Sequence, residues 1–178
     1  WPARSSRRRS VSRSSTGRLN DLSGDLRFSE DRTQQTIAGD LSYINNRFDA
    51  ELSSNRLVSS QPIGATRQES LWRAATMVGY ANGAFGIGRS AREGFVIATG
   101  HPTLKGARVS LTDSSGYPVA NSGWFGPALA GVDRGYGVRR YELEVDPLPE
   151  GYDLGSGVIS AFPGFGNGYR FVVGSDAS

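Results

Sequence analysis

The chain has 178 residues, 37% of them hydrophobic, with 24 glycines, no cysteine and a mean hydropathy of −0.39. The lack of cysteine excludes disulfides, thiolate nucleophiles and cysteine–zinc sites. No run of about 18 apolar residues encodes a membrane-spanning helix, although barrel strands of about 9–11 alternating residues stay open. The net charge of +3 is unevenly spread, since residues 1–18 hold six arginines and no acid while the remainder has 14 basic and 17 acidic residues. No signal peptide is recognisable, and Trp1 in place of an initiator methionine is what a piece of a longer chain would have.

Residues 1–18 are rich in arginine and serine, with Val11 the one aliphatic residue before Leu19 apart from Ala3. Such a segment buries too little apolar surface to offset its chain entropy, so a disordered tail is expected. Clustered arginine could serve nucleic-acid phosphates, but no interleaved aromatics accompany it and the body lacks basic charge to extend the footprint. We therefore expect no nucleic-acid partner. From 22 to 28, Leu22, Gly24, Leu26 and Phe28 alternate with polar residues, predicting a strand, and 29–35 read as a polar loop.

Two hairpins follow on one plan. Ile37, Gly39, Leu41 and Tyr43 alternate with polar positions, and Phe48, Ala50 and Leu52 resume the alternation after Asn45-Asn46. A two-residue turn there would pair Tyr43 with Phe48 and Leu41 with Ala50, leaving Asp40, Ser42, Asp49 and Glu51 on the other face. A Pro/Gln/Ser loop is expected over 54–66. In the second hairpin Trp72, Ala74, Thr76, Val78 and Tyr80 share a face. Asn82-Gly83 is a strong type I′ signal, and Phe85 and Ile87 return opposite Tyr80 and Val78. Its other face is small or polar: Arg73, Ala75, Gly79, Gly86 and Gly88, with Met77 the exception. Each hairpin thus carries an apolar stripe with an aromatic pair beside the turn. In a barrel the stripe is the lipid face and the polar side lines a watery lumen; in a soluble protein the stripe packs on a second sheet.

Ala91-Arg92-Glu93-Gly94 is a polar break, placed as a boundary. Beyond it, β-branched and aromatic runs at 95–98, 107–111, 140–145, 158–162 and 169–173 alternate with Gly/Pro/Asp/Asn clusters, the rhythm of a small antiparallel sandwich. Its expected core is Phe95, Ile97, Val109, Leu111, Tyr141, Leu143, Val145, Val158, Phe162, Phe171 and Val173, which is thin enough to need a neighbour.

Catalytic chemistry finds no support in the sequence. His101 is the one histidine and reads as a His-Pro turn; no GxSxG elbow or GxGxxG cradle exists. Asp146, Glu150 and Asp153 sit among prolines as solvated turn residues. No enzyme, cofactor or metal is expected. Trp124 and Phe125, in a Ser/Gly/Pro-rich segment, and Tyr136, in a second loop, are candidate interface anchors, with capping of the sandwich core as the alternative.

Four pieces in fixed order also carry a family resemblance: GYANGAFGIGRS (79–90), GFVIATGHPTLKG (94–106), GPALAGVDRGYGVRRYELEVDPLPEGYDLGSG (126–157) and GYRFVVGSDAS (168–178). Together they resemble the end of a fimbrial outer-membrane usher of the chaperone–usher pathway, the phrase at 126–157 being the most specific. The resemblance covers roughly residues 35–178 and lacks the cysteine pair many ushers carry near their C-terminus. It implies an all-β architecture: antiparallel transmembrane barrel strands forming part of a barrel over 19–92, then a periplasmic β-sandwich over 93–178. Leu41, Tyr43, Phe48, Leu52, Trp72, Val78, Tyr80, Phe85 and Ile87 would then face lipid or its interfacial girdle. Implied partners are periplasmic chaperone–pilin subunit complexes, the remaining usher domains and outer-membrane lipid, and the implied location is the outer membrane of a Gram-negative bacterium. With the last hairpin closing the barrel, both tight turns would be extracellular. The competing reading is a soluble β-sandwich binding or adhesion module.

Overall fold

The computed structural model describes residues 7–16, 18–59, 64–104, 106–133, 135–154 and 156–176, and every regular element among them is a β-strand. The chain forms two compact units. One comprises the residues before Asn45 together with Asp49–Ala74; the other comprises Asn45–Phe48 and the chain from Ala75 onward. This division falls earlier than the expected boundary at 92/93. The six strands β1 to β6 pair in chain order and, among the described residues, do not close into a barrel.

The first unit is an antiparallel meander of β1 (Arg7–Arg13), β2 (Asp21–Glu30), β3 (Gln34–Ile44), β4 (Phe48–Ser59) and the first part of β5 (Thr66–Ala81). Strand β1 differs from the expected disordered tail, of which residues 1–6 and 17 lie outside the described residues. Its side chains are all exposed, so no core holds it. Instead it pairs with the otherwise open edge of β2, whose backbone groups template a further strand. Arg7 lies opposite Glu30, an opposite-charge pair, while Arg8, Arg9 and Arg13 face Ser29, Phe28 and Gly24. Strand β4 likewise runs on to Ser59, paired with Gln34, where a loop from 54 was expected; β3 is long enough to hold it. Residues 60–63 of that loop lie outside the described residues.

The first hairpin corrects the predicted register. Tyr43 pairs with Ala50 and Leu41 with Leu52, and the turn is closed by the Asn45 amide donating to the Phe48 carbonyl at 2.8 Å. The tip is Asn46-Arg47 rather than Asn45-Asn46, and no residue in it has positive φ. The reason is tertiary, because both tip side chains are committed to the second unit. A shift by two preserves strand parity, so Leu41, Tyr43, Phe48, Ala50 and Leu52 keep a common face.

In the second unit, the hairpin of β5 with β6 (Ala84–Gly88) has the predicted register, Tyr80 opposite Phe85 and Val78 opposite Ile87. Asn82 and Gly83 have φ of 46° and 79°, the left-handed pair that a type I′ turn requires. The chain continues through β7 (Gly94–Gly100), β8 (Arg108–Asp113), β9 (Pro118–Asn121), β10 (Ala128–Val132), β11 (Arg139–Asp146), β12 (Tyr152–Asp153), β13 (Val158–Ala161), β14 (Asn167–Val173) and β15 (Ser175–Asp176). One sheet has the order β10-β7-β14, with β7 and β14 parallel, and a second has the order β13-β11-β8-β9. The five expected runs are β7, β8, β11, β13 and β14; β9, β10 and the short pair β12 and β15 are additional.

Strand β7 is buried on both faces. Val96 and Ala98 enter a core with Val109, Leu111, Ala130, Tyr141, Val145 and Val173. Of the expected core, Leu143 and Phe171 are partly buried against it, whereas Val158 and Phe162 are exposed. Strand β13 is a short edge whose inward side is Ile159, partly buried, and Ala161, so Val158 falls on the outer side.

The other face of β7 builds a second core, in which Ile97 joins Leu129, Ala81 and Ala84, flanked by Met77 and Phe95. Here the small face of the β5–β6 hairpin, expected to line a watery lumen, is packed dry. A Cβ on Gly88 would lie 2.5 Å from Leu129 Cδ2 and 2.7 Å from the Leu129 carbonyl, and one on Gly79 2.8 Å from both Leu129 Cδ1 and Phe95 Cε2. The glycines are the space into which Leu129 and Phe95 fit.

Two consequences can be measured. Gly88→Ala forces the β10 backbone to shift and should cost about 1–3 kcal/mol in urea unfolding. Gly86→Ala, whose Cβ would meet side-chain atoms alone, Leu129 at 3.2 and 3.3 Å and Pro127 Cγ at 3.5 Å, should cost less; the reverse order would contradict this packing. Second, burial raises the Tyr141 hydroxyl pKa above its ordinary value of 10.0, Arg139 opposing and Asp113 and Asp133 reinforcing. Because the folded value exceeds the unfolded one, this stabilisation is full below about pH 10 and is lost as pH rises through the folded value. Tyr141→Phe should therefore weaken the alkaline fall in stability, read as unfolding midpoints against pH.

Candidate functional site

The predicted apolar stripes are both uncovered. In the first unit Leu41 and Leu52 pair directly and are exposed, as are Leu22, Leu26 and Ile37, while Tyr43 is half-buried. Ser54 Oγ lies 3.0 Å from Ser70 Oγ, which sets β5 on β4 with the Ser70–Trp72 parity on this face; Trp72 is 77% exposed. The opposite face carries Asp40, Ser42 and Glu51, with Arg73 4.0 Å from Glu51. In the second unit Phe48, Val78, Tyr80 and Phe85 are exposed and Ile87 is half-buried. The layer that covers the β5–β6 hairpin lies on its glycine face. A soluble sheet would be expected to bury the other one, since apolar area is what burial stabilises.

The turn at Asn46-Arg47 builds a site that the sequence did not single out. Arg47 Nη1 donates to the carbonyls of Ile87 and, at 3.0 Å, Pro127; Nη2 donates to Asn121 at 3.2 Å and Gly126 at 3.1 Å. Asn46 pairs with the Asn121 backbone as a strand would, Nδ2 donating to its carbonyl at 2.7 Å and Oδ1 accepting its amide at 2.9 Å. Thr76 Oγ1 donates to the Arg47 carbonyl at 2.8 Å. The guanidinium forms no salt bridge among the described residues. Its planar fork is satisfied by carbonyl dipoles alone. At the neighbouring turn, Arg170 Nη1 donates to the Asn82 carbonyl at 2.7 Å. Both tight turns therefore sit against the C-terminal β domain, which corrects the expectation that turns and domain lie at opposite ends of the strands.

Trp124 and Phe125 occupy the tip of a two-residue turn closed by reciprocal 3.0 Å hydrogen bonds between Gly123 and Gly126. Gly126 has φ of 109°, open only to glycine. Trp124 is 98% exposed and Phe125 70%, so neither caps the core. Tyr136, on a separate loop, is also exposed and stands edge-on to Phe162 with ring centroids 6.5 Å apart. The three candidate anchors thus resolve into a Trp-Phe tip and a Tyr–Phe pair. The tip lies over the Arg47 clamp, since Asn121, Gly126 and Pro127 form its base.

His101 Nδ1 lies 2.7 Å from Thr103 Oγ1, and Asp146, Glu150 and Asp153 are exposed. Among the described residues no group of three or more His, Cys, Asp or Glu converges. The only sequence signal for Arg47 was its place in a hairpin turn, where arginine has no intrinsic reason to be.

No protein-family model matches the chain, and neither does any curated protein. Among solved structures it is similar to the Bacillus anthracis TIE protein, with 13% identity over 86% of this chain and 28% of that one. The TM-score of 0.31 is too low to carry an argument about fold or function.

Arg47→Met would take a charged donor from four carbonyls, of which Asn121 and Gly126 keep bonds from Asn46 and Gly123, and should destabilise the second unit by about 2 kcal/mol in urea unfolding. Arg47→Lys, which keeps the charge but not the fork, should recover less than half of that loss. Full recovery by lysine would mean that charge rather than geometry holds the turn.

Proposed function

We propose that the chain is the end of an outer-membrane fimbrial usher: the last barrel strands, joined to a periplasmic β domain, of a protein that receives chaperone–subunit complexes and secretes the growing fibre. The observation that carries this reading is the uncovered apolar stripe, present on both hairpins while the opposite side is polar or packed. Lipid is the environment that such a face satisfies. Strand lengths agree with it, because β3, β4 and β5 have 11, 12 and 16 residues against the roughly 9–11 needed to span. Strand β6, with 5, is too short, so β5 would be the last spanning strand and β6 part of the domain that follows.

The position of the turns fits the same reading. With the C-terminal domain in the periplasm, the turns at 45–48 and 82–83 are periplasmic, the usual side for short turns in such barrels. The usher role supplies proximity and orientation; the free energy of fibre growth comes from strand exchange between subunits, a form of β-augmentation.

The test substitutes arginine on either face of the strands in the parent gene. Leu52→Arg, costing roughly 2–4 kcal/mol near the bilayer midplane, should remove the protein from the outer-membrane fraction and pilin from the cell surface. Val78→Arg, nearer the interface where the cost is lower, should deplete both. Ser53→Arg, opposite Asp40 on the polar face, should leave both in place. Unchanged surface pilin in all three strains would contradict the proposal.

A further inference from the structure

We infer that the Trp124-Phe125 tip is a membrane-interface anchor, by which the C-terminal β domain is held against the surface of the bilayer. The inference rests on the membrane reading above and adds a contact that the barrel strands do not make. Four observations converge on it.

The tip offers the right chemistry. An indole beside a phenyl ring presents apolar area together with one N–H donor, the combination that settles between headgroups and acyl chains. Trp124 is almost fully exposed, so no rearrangement is needed to deliver it. The tip's own segment permits shallow insertion, because residues 114–132 contain no acidic or basic side chain. The charge beneath it, Arg47, is already bonded to the carbonyls of its base, so shallow entry of the two rings carries no charged side chain of that segment into the bilayer.

The tip is also rigid. Its base carbonyls at Asn121, Gly126 and Pro127 are held by Arg47, and the Asn121 backbone also by Asn46. An anchor held in its bound geometry loses little conformational entropy on binding. Finally, the tip adjoins the aromatic pair of the last hairpin. A Cβ on Gly126 would lie 3.7 Å from the Phe85 carbonyl, and one on Gly86 3.5 Å from Pro127 Cγ. Phe85 pairs with Tyr80 on the exposed stripe. These aromatics thus gather at the turn end of β5 and β6, where a girdle marks the edge of the hydrocarbon.

Single-tryptophan chains make the test. One carries Trp1→Phe and Trp72→Phe and keeps Trp124; the other carries Trp1→Phe and Trp124→Phe and keeps Trp72. Each is added to phosphatidylethanolamine–phosphatidylglycerol vesicles brominated either near the headgroup or deep in the acyl chains. Trp124 emission should shift to the blue and be quenched more by the shallow bromines. Quenching of Trp72 without Trp124 would overturn the anchor while leaving the membrane reading intact, and would assign the tip to a protein partner. Quenching of Trp124 without Trp72 would support the anchor and contradict the spanning sheet. Quenching of neither would overturn both. Trp124→Ser combined with Phe125→Ser, at exposed positions and with an unchanged far-ultraviolet spectrum as the folding control, should weaken vesicle partitioning by roughly tenfold or more. Unchanged partitioning would also refute the anchor.

Discussion

Leu129 entering the glycine face of the β5–β6 hairpin is the contact on which the second unit depends. Without a Cβ at Gly79, Gly86 and Gly88, the hairpin and the β10-β7-β14 sheet approach closely enough for Leu129, Ile97 and Phe95 to be sealed between them. This gives β7 a second buried face and decides which side of the hairpin remains open. Val78, Tyr80 and Phe85 are left exposed because their reverse side is already occupied. The small residues and the apolar stripe are therefore one arrangement: the former accepts the domain and the latter is left for another environment.

The same end of the hairpins collects the polar fastening. Arg47 and Asn46 reach the backbone at Asn121, Gly126 and Pro127, while Arg170 reaches Asn82. Hydrogen bonds from charged donors to carbonyls contribute more than neutral ones, and a fork serving four carbonyls constrains orientation as well as distance. Dry packing through the glycines and directional bonds through Arg47 fix the β5–β6 hairpin, both turns and the Trp124 tip as parts of one body.

Much of this was open to a reader of the sequence because strand period two is a strong constraint. Asn82-Gly83 fixed the second hairpin's register through φ alone. The five β-branched runs after residue 94 appeared as strands, and the shared face of Leu41, Tyr43, Phe48 and Leu52 survived a register error. What escaped was decided by distant partners. Arg47 displaced the turn by one residue for carbonyls some forty to eighty positions away. Strand β10, reading Ala-Leu-Ala-Gly-Val, has no β-branched run to announce it, yet contributes Leu129. Glycines that read as the lining of a lumen became the packing surface, because composition cannot tell a face kept small for water from one kept small for a neighbour. Strand β1 formed from a segment with almost nothing to bury, since an open edge needs only backbone to extend it.

The central claim is that the exposed stripe faces lipid while its reverse side does not. The natural absence of cysteine allows one cysteine at a time to be placed along Ser70–Tyr80, spin-labelled in vesicles and probed with oxygen and with a water-soluble nickel chelate. The account predicts a period of two, with oxygen access highest at Trp72, Ala74, Val78 and Tyr80 and low at Gly79. Chelate access dominating at Trp72, Val78 and Tyr80 would place that face in water and contradict it.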